Sequence, residues 1–435
     1  MILIILAYIF SSLSLLMSFL LFIRIKAPWG FILLPFKSVA MGLSRFWAIM
    51  STVGAIIGLV FQAFWAVLIG IIGTIIMTIY VWRCTRDNKG FENAFGANWS
   101  DLIRPEQANL MVQKRGTWFL KTKTSPKPSW ERDVPFWTIS GRDRQLLCDI
   151  WRPTDGKISG LAFIFFHGSG WGTLDKDRGT RPFFRHLVAQ GHTVMDVAYR
   201  LIPEVDIYGM IGDVKRAIAW MKANADHYGV DPEKIVLGGA SAGAHLALLA
   251  GYAPKHPELT PEDLKKADLS VCGIVSYYGS TDLVAGYERY GWEDKNMPPE
   301  SIGADQDHIK PVGSYYYAGR VDLLLGGLPE EVPDMYQLAC PTTHVRPGCP
   351  PTLLMQGARD FIVPMVGTQD LYAKLVESGI PVINVVFPWT DHAFDLILPQ
   401  FSPPAQSALY NVDRFLALMV NKDLWQAREN LIKSE

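Results

Sequence analysis

Residues 234–249 read KIVLGGASAGAHLALL, and our prediction of the fold starts from these residues. The apolar run at 234–239 is typical of a buried strand, and AHLALLA at 244–250 is typical of a buried helix. Between them, residues 239–243 form the pentapeptide G-x-S-x-G. A sharp turn from strand to helix exposes such a serine, and the small flanking residues relieve crowding. Ser241 is therefore a candidate nucleophile, and the alternative is a glycine-rich turn with a capping serine.

Strand patterns alternate with helical patterns on both sides of this stretch. The predicted strands are 145–152, 160–166, 193–199, 234–239, 270–278, 351–356 and 382–387, and the clearest helices are 210–227 and 406–420. This alternation predicts an α/β domain over residues 131–425, with a mostly parallel central sheet flanked by helices. Residues 281–350 are rich in Tyr, Pro and Gly, and long segments of this kind often form lids. We expect a lid-like insertion there.

An acid and a base follow Ser241 in the order that a Ser-Asp-His triad requires. Asp360 comes just after the strand at 351–356, and His392 comes just after the strand at 382–387. Both therefore lie at the carboxyl ends of strands, where sheets of this type bind ligands. Asp391 and Asp395 are rival acids, but both are too close to His392 in sequence for the usual geometry.

The loop after the strand at 160–166 reads His167-Gly-Ser-Gly-Trp171. Small residues let backbone N–H groups face a cavity, and such groups can hold the oxyanion of acyl transfer. The N–H groups of this loop and of the residue after the nucleophile are therefore candidate oxyanion donors. The candidates are Gly168, Ser169, Gly170 and Ala242. We expect His167 itself to be structural, because it precedes the nucleophile.

Together these motifs carry a resemblance to a known family. Several motifs agree in order and spacing with those of that family. They are HGSGW, YRLIPE (199–204), the stretch at 229–249, LGGLPEEVPDMYQLACPTTHV (325–345), GARDFIVP (357–364) and DHAFD (391–395). Over roughly residues 130–420 the chain resembles the hormone-sensitive-lipase-like and acyl-esterase branch of the α/β hydrolases. That resemblance implies an α/β-hydrolase fold. It also implies that the backbone N–H groups of Ser169 and Gly170 donate hydrogen bonds to the oxyanion. The family usually has HGGGW, so Ser169 adds a hydroxyl, which we expect to narrow the acyl pocket.

The first 82 residues have the composition of a membrane anchor. Residues 1–23 and 46–82 contain no charged side chain. A helical span needs about 20 apolar residues, so residues 2–23 fit one span, whereas 46–82 are too long for one. We expect spans at 46–63 and 65–82, with a reversal near residues 62–65 and a linker over 83–130. Glycines in these helices either allow close helix packing or merely interrupt apolar helices.

Basic residues flank the long apolar stretch on both sides. The segment 24–45, read as a loop, and the segment 83–89 contain these basic residues: Arg24, Lys26, Lys37, Arg45, Arg83, Arg86 and Lys89. Because basic flanks stay in the cytoplasm, three spans with a cytoplasmic catalytic domain are expected. Two spans with an external catalytic domain are the alternative.

Composition narrows the function classes. The formal net charge is −1, which gives no reason to expect a nucleic-acid partner. The five cysteines form no CxxC pair, and we expect free thiols, no metal and no cofactor. The favoured hypothesis is hydrolysis of a small-molecule or lipid-like carboxylic ester beside the bilayer. An amidase, peptidase or formamidase on the same scaffold and a non-catalytic binding module are the alternatives.

Overall fold

The computed structural model describes the chain outside residues 25–28, 123–127, 140, 142, 155, 157, 169, 178, 290–320 and 424–435. The strands are β1 (Ser129–Thr138), β2 (Gln145–Arg152), β3 (Ala162–Phe166), β4 (Thr193–Val197), β5 (Ile235–Ala240), β6 (Gly273–Tyr277), β7 (Thr352–Gly357) and β8 (Val382–Phe387). The helices before the sheet are α1 (Ile2–Leu20), α2 (Trp29–Gly42), α3 (Ser44–Val60), α4 (Phe64–Thr85), α5 (Gly90–Phe95) and α6 (Pro105–Ala108). The later helices are α7 (Arg181–Ala189), α8 (Ile207–Ala223), α9 (Ala225–Tyr228), α10 (Ala242–Tyr252), α11 (Leu283–Arg289), α12 (Val321–Leu325), α13 (Pro333–Ala339), α14 (Met365–Glu377) and α15 (Pro403–Val420).

The eight strands form one sheet in the order β1-β2-β4-β3-β5-β6-β7-β8. Strand β2 runs antiparallel to β1 and β4, and the other neighbouring strands are parallel. The predicted α/β class with a mostly parallel sheet is confirmed. Strand β1 was not predicted, because register shifts between Glu131 and Val134 and between Pro135 and Trp137 interrupt its alternation.

Both faces of the sheet are covered, as the continuous apolar strands predict. Ala162, Ile164 and Phe166 of β3 face one core cluster, which includes residues of α8 and α10. Phe163 and Phe165 face a second cluster, which includes residues of α7, α15 and the N-terminal helices. Since side chains of a strand alternate between faces, β3 contributes to two cores at once. The α/β domain and the N-terminal helices therefore share one apolar cluster.

The N-terminal helices pack as a bundle in which α3 and α4 form a hairpin around residues 61–63. Helix α1 and the helix that begins at Phe64 are long and apolar enough to cross a membrane. The pair Ile32–Gly42 and Ser44–Val60, bent by 71°, supplies a third candidate if it counts as one span. Helices α1, α3 and α4 lie over most of the ranges 2–23, 46–63 and 65–82, and the three spans themselves stay a prediction.

The segment 24–45 is not the loop that we expected from its basic residues. Helix α2 occupies Trp29–Gly42 and carries Pro35 in its interior. A proline is tolerated inside an apolar helix where neighbouring groups satisfy the backbone around it. The expectation of a loop was therefore wrong for most of this segment.

Small residues bring the helices of the bundle close together. A Cβ atom at Gly54 would lie 2.5 Å from the Ser11 Oγ, and one at Gly70 would lie 2.6 Å from the Ser51 carbonyl oxygen. Any larger side chain would force the helices apart. These glycines are packing positions, and not mere interruptions of an apolar helix.

The segment at 83–130 lies against the α/β domain where it is described. The Val112 N–H donates to Asp413 Oδ2 of α15 at 2.7 Å, and the Phe91 and Trp99 rings stack with centroids 4.6 Å apart. In the predicted insertion at 281–350, the structure describes α11, α12 and α13, and residues 290–320 lie outside the described residues. The five cysteines are free thiols.

Candidate active site

Ser241 lies between β5 and α10 with a backbone conformation that side chains rarely adopt, φ 52° and ψ −118°. A Cβ atom at Gly239 would lie 2.4 Å from the Gly243 carbonyl carbon, and one at Gly243 would lie 2.1 Å from the Phe166 carbonyl oxygen. Both glycines of the pentapeptide are thus required by close backbone approach. The strained turn projects Ser241 from the carboxyl edge of the sheet.

Three side chains predicted as a triad are brought together. The Ser241 Oγ lies 3.1 Å from His392 Nε2, and His392 Nδ1 lies 2.8 Å from Asp360 Oδ2. The other oxygen of Asp360 accepts the N–H groups of Ile362 and Val363 at 2.9 and 2.8 Å. The Asp360 and His392 side chains are buried. These bonds hold a carboxylate, an imidazole and a hydroxyl in one line, the geometry of nucleophilic catalysis.

The rival acids have other partners. Asp391 is paired with Lys37 of α2, with Nζ and Oδ2 2.5 Å apart. Asp395 accepts a hydrogen bond from the Tyr278 hydroxyl at 2.5 Å. Burial raises the pKa of Asp395 above its usual value, and the Tyr278 hydrogen bond opposes this shift. The Tyr278 ring in turn lies against His392, with centroids 4.5 Å apart.

The predicted oxyanion loop lies beside the serine turn. A Cβ atom at Gly168 would lie 3.3 Å from the Ser241 Cβ and 2.9 Å from the Ala240 carbonyl oxygen. Gly170 has φ +56°, which glycine adopts without strain, and Ser169 lies outside the described residues. Ala242 opens α10, so its N–H is one of the first-turn donors without an intrahelical acceptor.

A hydrogen-bonded histidine supports this loop from below, and sequence reasoning missed it. Trp171 Nε1 donates to His245 Nδ1 at 3.2 Å, and His245 Nε2 donates to the Ala339 carbonyl oxygen at 2.8 Å. Burial lowers the pKa of His245 to about 4, so the ring is neutral and this tautomer is fixed. A polar residue within AHLALLA, four positions after the serine, was the available signal.

His167 packs as expected of a structural residue. Its ring stacks on Tyr199 with centroids 4.5 Å apart, and the Tyr199 hydroxyl donates to the His167 carbonyl oxygen at 2.8 Å.

The loop that carries His392 rests on the N-terminal helices. The Tyr80 hydroxyl lies 3.1 Å from the Thr390 Oγ1, and the Trp389 ring lies 4.7 Å from the Phe22 ring by centroids. Arg45 Nη1 donates to the Phe401 carbonyl oxygen at 2.9 Å. Sequence reasoning did not anticipate these contacts, because their partners are more than 300 residues apart.

An apolar groove, open to solvent, lies at the same edge of the sheet. It is lined by side chains from the ends of β3 and β6, from α7 and from the loop after His392. They include Phe165, Phe183, Tyr277, Asp395 and Leu396. Among the nearby aromatic residues, Tyr277 lines this groove, whereas Trp171 and Tyr278 are buried elsewhere.

A model of the BD-FAE family matches residues 148–375, more than half of the chain. The chain belongs to the BD-FAE family. The resemblance to the esterase branch of the α/β hydrolases is thereby confirmed.

Curated relatives of this BD-FAE member include two proteins of Mycobacterium tuberculosis. The probable carboxylic ester hydrolase LipM is 31% identical over 274 residues, covering 62% of this chain and 57% of the relative. Esterase LipC is 30% identical over 261 residues, covering 60% of this chain and 59% of the relative. The chain thus spans less than two thirds of the length of either relative.

Solved structures share the fold. Esterase B from Lactobacillus Rhamnosis superposes with a TM-score of 0.52 at 21% identity, covering 71% of this chain and 91% of that one. The native Est2 esterase from Thermogutta terrifontis superposes with a TM-score of 0.51 at 24% identity, covering 67% of this chain and 92% of that one. At these identities the likeness shows the fold alone.

Proposed function

We propose that the chain is a membrane-anchored serine hydrolase that cleaves carboxylic esters through an acyl-enzyme intermediate. The observation that carries this proposal is the hydrogen-bonded line of Ser241, His392 and Asp360. The three side chains follow β5, β7 and β8, so parallel strands deliver them to one edge.

In the proposed reaction, the Ser241 Oγ attacks the ester carbonyl carbon while His392 Nε2 takes the hydroxyl proton. Asp360 accepts the hydrogen bond from the Nδ1–H of His392, so Nε2 is the free acceptor. The Asp360 carboxylate also stabilises the imidazolium that forms. The carbonyl oxygen becomes an oxyanion held by Ala242 N–H and by N–H groups of the 168–170 loop. His392 then protonates the leaving alcohol, and water repeats the sequence to release the acid.

Ester hydrolysis is favoured over the alternatives by the relatives and by the site. LipM and LipC are named as an ester hydrolase and an esterase. An amidase would use the same triad, and no contact among the described residues favours an amide nitrogen as leaving group. A non-catalytic module would have no need to retain the strained serine turn, since backbone strain of this kind persists only where surrounding structure enforces it.

The anchor proposal is three spans with a cytoplasmic catalytic domain. The spans are supported by the ends of the helices that touch this domain, and the cytoplasmic side rests on the basic flanks. These ends are Phe22 after α1, Arg45 near the start of α3, and Tyr80 near the end of α4. The turn between α3 and α4 therefore lies at the end of the bundle that is far from the catalytic domain. This arrangement suits amphiphilic esters, whose acyl chains concentrate in the bilayer.

The test of the chemistry is Ser241→Ala in the full-length protein. We expect hydrolysis of short-chain p-nitrophenyl esters to fall by several orders of magnitude, and labelling by a fluorophosphonate to disappear. Ser407→Ala, which removes a buried hydroxyl from α15, is the matched control and should label normally. Full labelling of the Ser241→Ala protein would contradict the proposal.

A further inference from the structure

A lysine of the N-terminal helices reaches the loop that holds His392. Lys37 lies in the apolar helix α2, and its side chain and that of Asp391 are both fully buried. Its Nζ donates to Asp391 Oδ2 at 2.5 Å and to the Ile23 carbonyl oxygen at 2.9 Å. The partners are 354 residues apart in sequence, so this ion pair exists only because the helices dock on the catalytic domain.

The other oxygen of Asp391 bridges the two loops of the triad. Asp391 Oδ1 accepts the N–H of Phe361 at 3.0 Å and the N–H of His392 at 3.1 Å. Phe361 directly follows Asp360, the proposed acid. One carboxylate therefore fixes the backbone beside the acid relative to the backbone of the base.

We propose that Lys37 is a positioning residue for the reaction: through Asp391 it sets the spacing between Asp360 and His392. This inference rests on the proposed function. The helix bundle is then a part of the catalytic apparatus, and not only an attachment to the bilayer. Lys37 touches no reacting atom, so its effect passes entirely through the Asp391 carboxylate.

The physical basis is the cost of a buried charge without its partner. A buried ion pair adds little net stability, but removal of one member leaves a charge that the interior cannot solvate. An unpaired Asp391 would turn towards other donors or water, and its two backbone hydrogen bonds would shift. Misplacement of catalytic groups by about 1 Å can lower turnover about 100-fold.

A second contact between the helices and the catalytic domain can distinguish a positioning role of Lys37 from a general role in docking the helices. Arg45 also joins the helices to the loop after β8, but it donates to Phe401, nine residues beyond His392. A change at Arg45 therefore removes a contact of the same interface without leaving a charge beside the triad. Arg45→Gln is the matched control.

The experiment compares Lys37→Met, Asp391→Asn, the double variant and Arg45→Gln in full-length protein in lipid nanodiscs. Fluorophosphonate titration counts functional sites, and kcat and KM are measured on a soluble p-nitrophenyl ester. For Lys37→Met we expect kcat per site to fall about 10- to 100-fold, with KM within about threefold. Arg45→Gln should keep both within about threefold.

The double variant provides the rescue. The amide oxygen of Asn at 391 still accepts both N–H groups, and no charge is left unpaired beside Met at 37. We expect its kcat to return to within about fivefold of wild type. If Lys37→Met does not accumulate, Lys37→Gln takes its place, and we expect at least a tenfold loss of kcat.

Three outcomes would overturn the inference: wild-type kcat without the lysine charge, an equal loss in Arg45→Gln, or no rescue in the double variant. Each leaves the proposed function intact as long as activity still depends on Ser241. Loss of that dependence in the wild-type background would instead remove the proposed function.

Discussion

Asp360→Asn tests the assignment of the acid most sharply, because the structure defines what the amide would do. The Asn oxygen can keep the two N–H groups of Ile362 and Val363, which now bind Asp360 Oδ1. The NH₂ group would then stand where Oδ2 lies, 2.8 Å from His392 Nδ1. An NH₂ group only donates, so Nδ1 must become an acceptor and the ring proton moves to Nε2.

That tautomer points an N–H at the Ser241 hydroxyl, which lies 3.1 Å away. The base can no longer accept the serine proton, although no side chain has moved. A tautomer reversed in this way costs about 10⁴-fold in kcat in a triad of this type, or about 5 kcal/mol of transition-state stabilisation. We expect that loss in ester hydrolysis, and an equally slow fluorophosphonate reaction.

Asp395→Asn is the control, because the Tyr278 hydroxyl can still donate to the amide oxygen. We expect its kcat to stay within about fivefold of wild type, since this residue does not bond the imidazole. Turnover per mole of purified, folded protein should be compared for both variants at one pH. If Asp360→Asn keeps turnover within tenfold while Asp395→Asn loses it, the acid lies in the loop after β8 and the reasoning fails.

Two further predictions concern stability and topology. The pKa of buried His245 is lowered from 6.5 to about 4, so the unfolded state binds the extra proton first and stability falls as the pH drops from 6.5 towards 4. The variant His245→Gln can still bond Trp171 and Ala339, and it should remove up to about 3 kcal/mol of this loss of stability. If lowering the pH shifts the thermal midpoint equally in the wild type and in the variant, the prediction is contradicted. A tag after the carboxyl terminus should resist added protease in intact cells and be cut after permeabilisation; its digestion in intact cells would place the catalytic domain outside.

The parallel part of the fold was predictable because each central strand is one continuous apolar run. Strand β3 is buried throughout, so composition alone marks it. Strand β1 is an edge strand with two register shifts and an internal proline, and neither a continuous run nor a clean alternation reveals it. Helix α2 was hidden in the same way, because Pro35 and the nearby basic residues are also typical of loops.

In the candidate site, too, some residues could be predicted from the sequence and others could not. Ser241, Asp360 and His392 carry local signals, since each follows a strand and their order in the chain is constrained by the fold. The contact of Lys37 with Asp391 has no local signal, because a basic residue between apolar stretches is ordinarily a mark of orientation at the membrane surface. Only the packing of the helices on the catalytic domain gives it another role.

The contacts between the His392 loop and the N-terminal helices also bear on how substrates would reach the proposed active site. A hydrolase on a flexible tether sweeps a volume set by the length of its linker. Here Trp389 and Thr390 contact Phe22 and Tyr80, so in the proposed membrane-anchored arrangement the triad would have one height and one tilt relative to the bilayer. Esters whose scissile bond lies at that height would reach Ser241, whereas esters held higher or lower would not. Substrates would thus be sorted by depth in the bilayer before any pocket measures their shape.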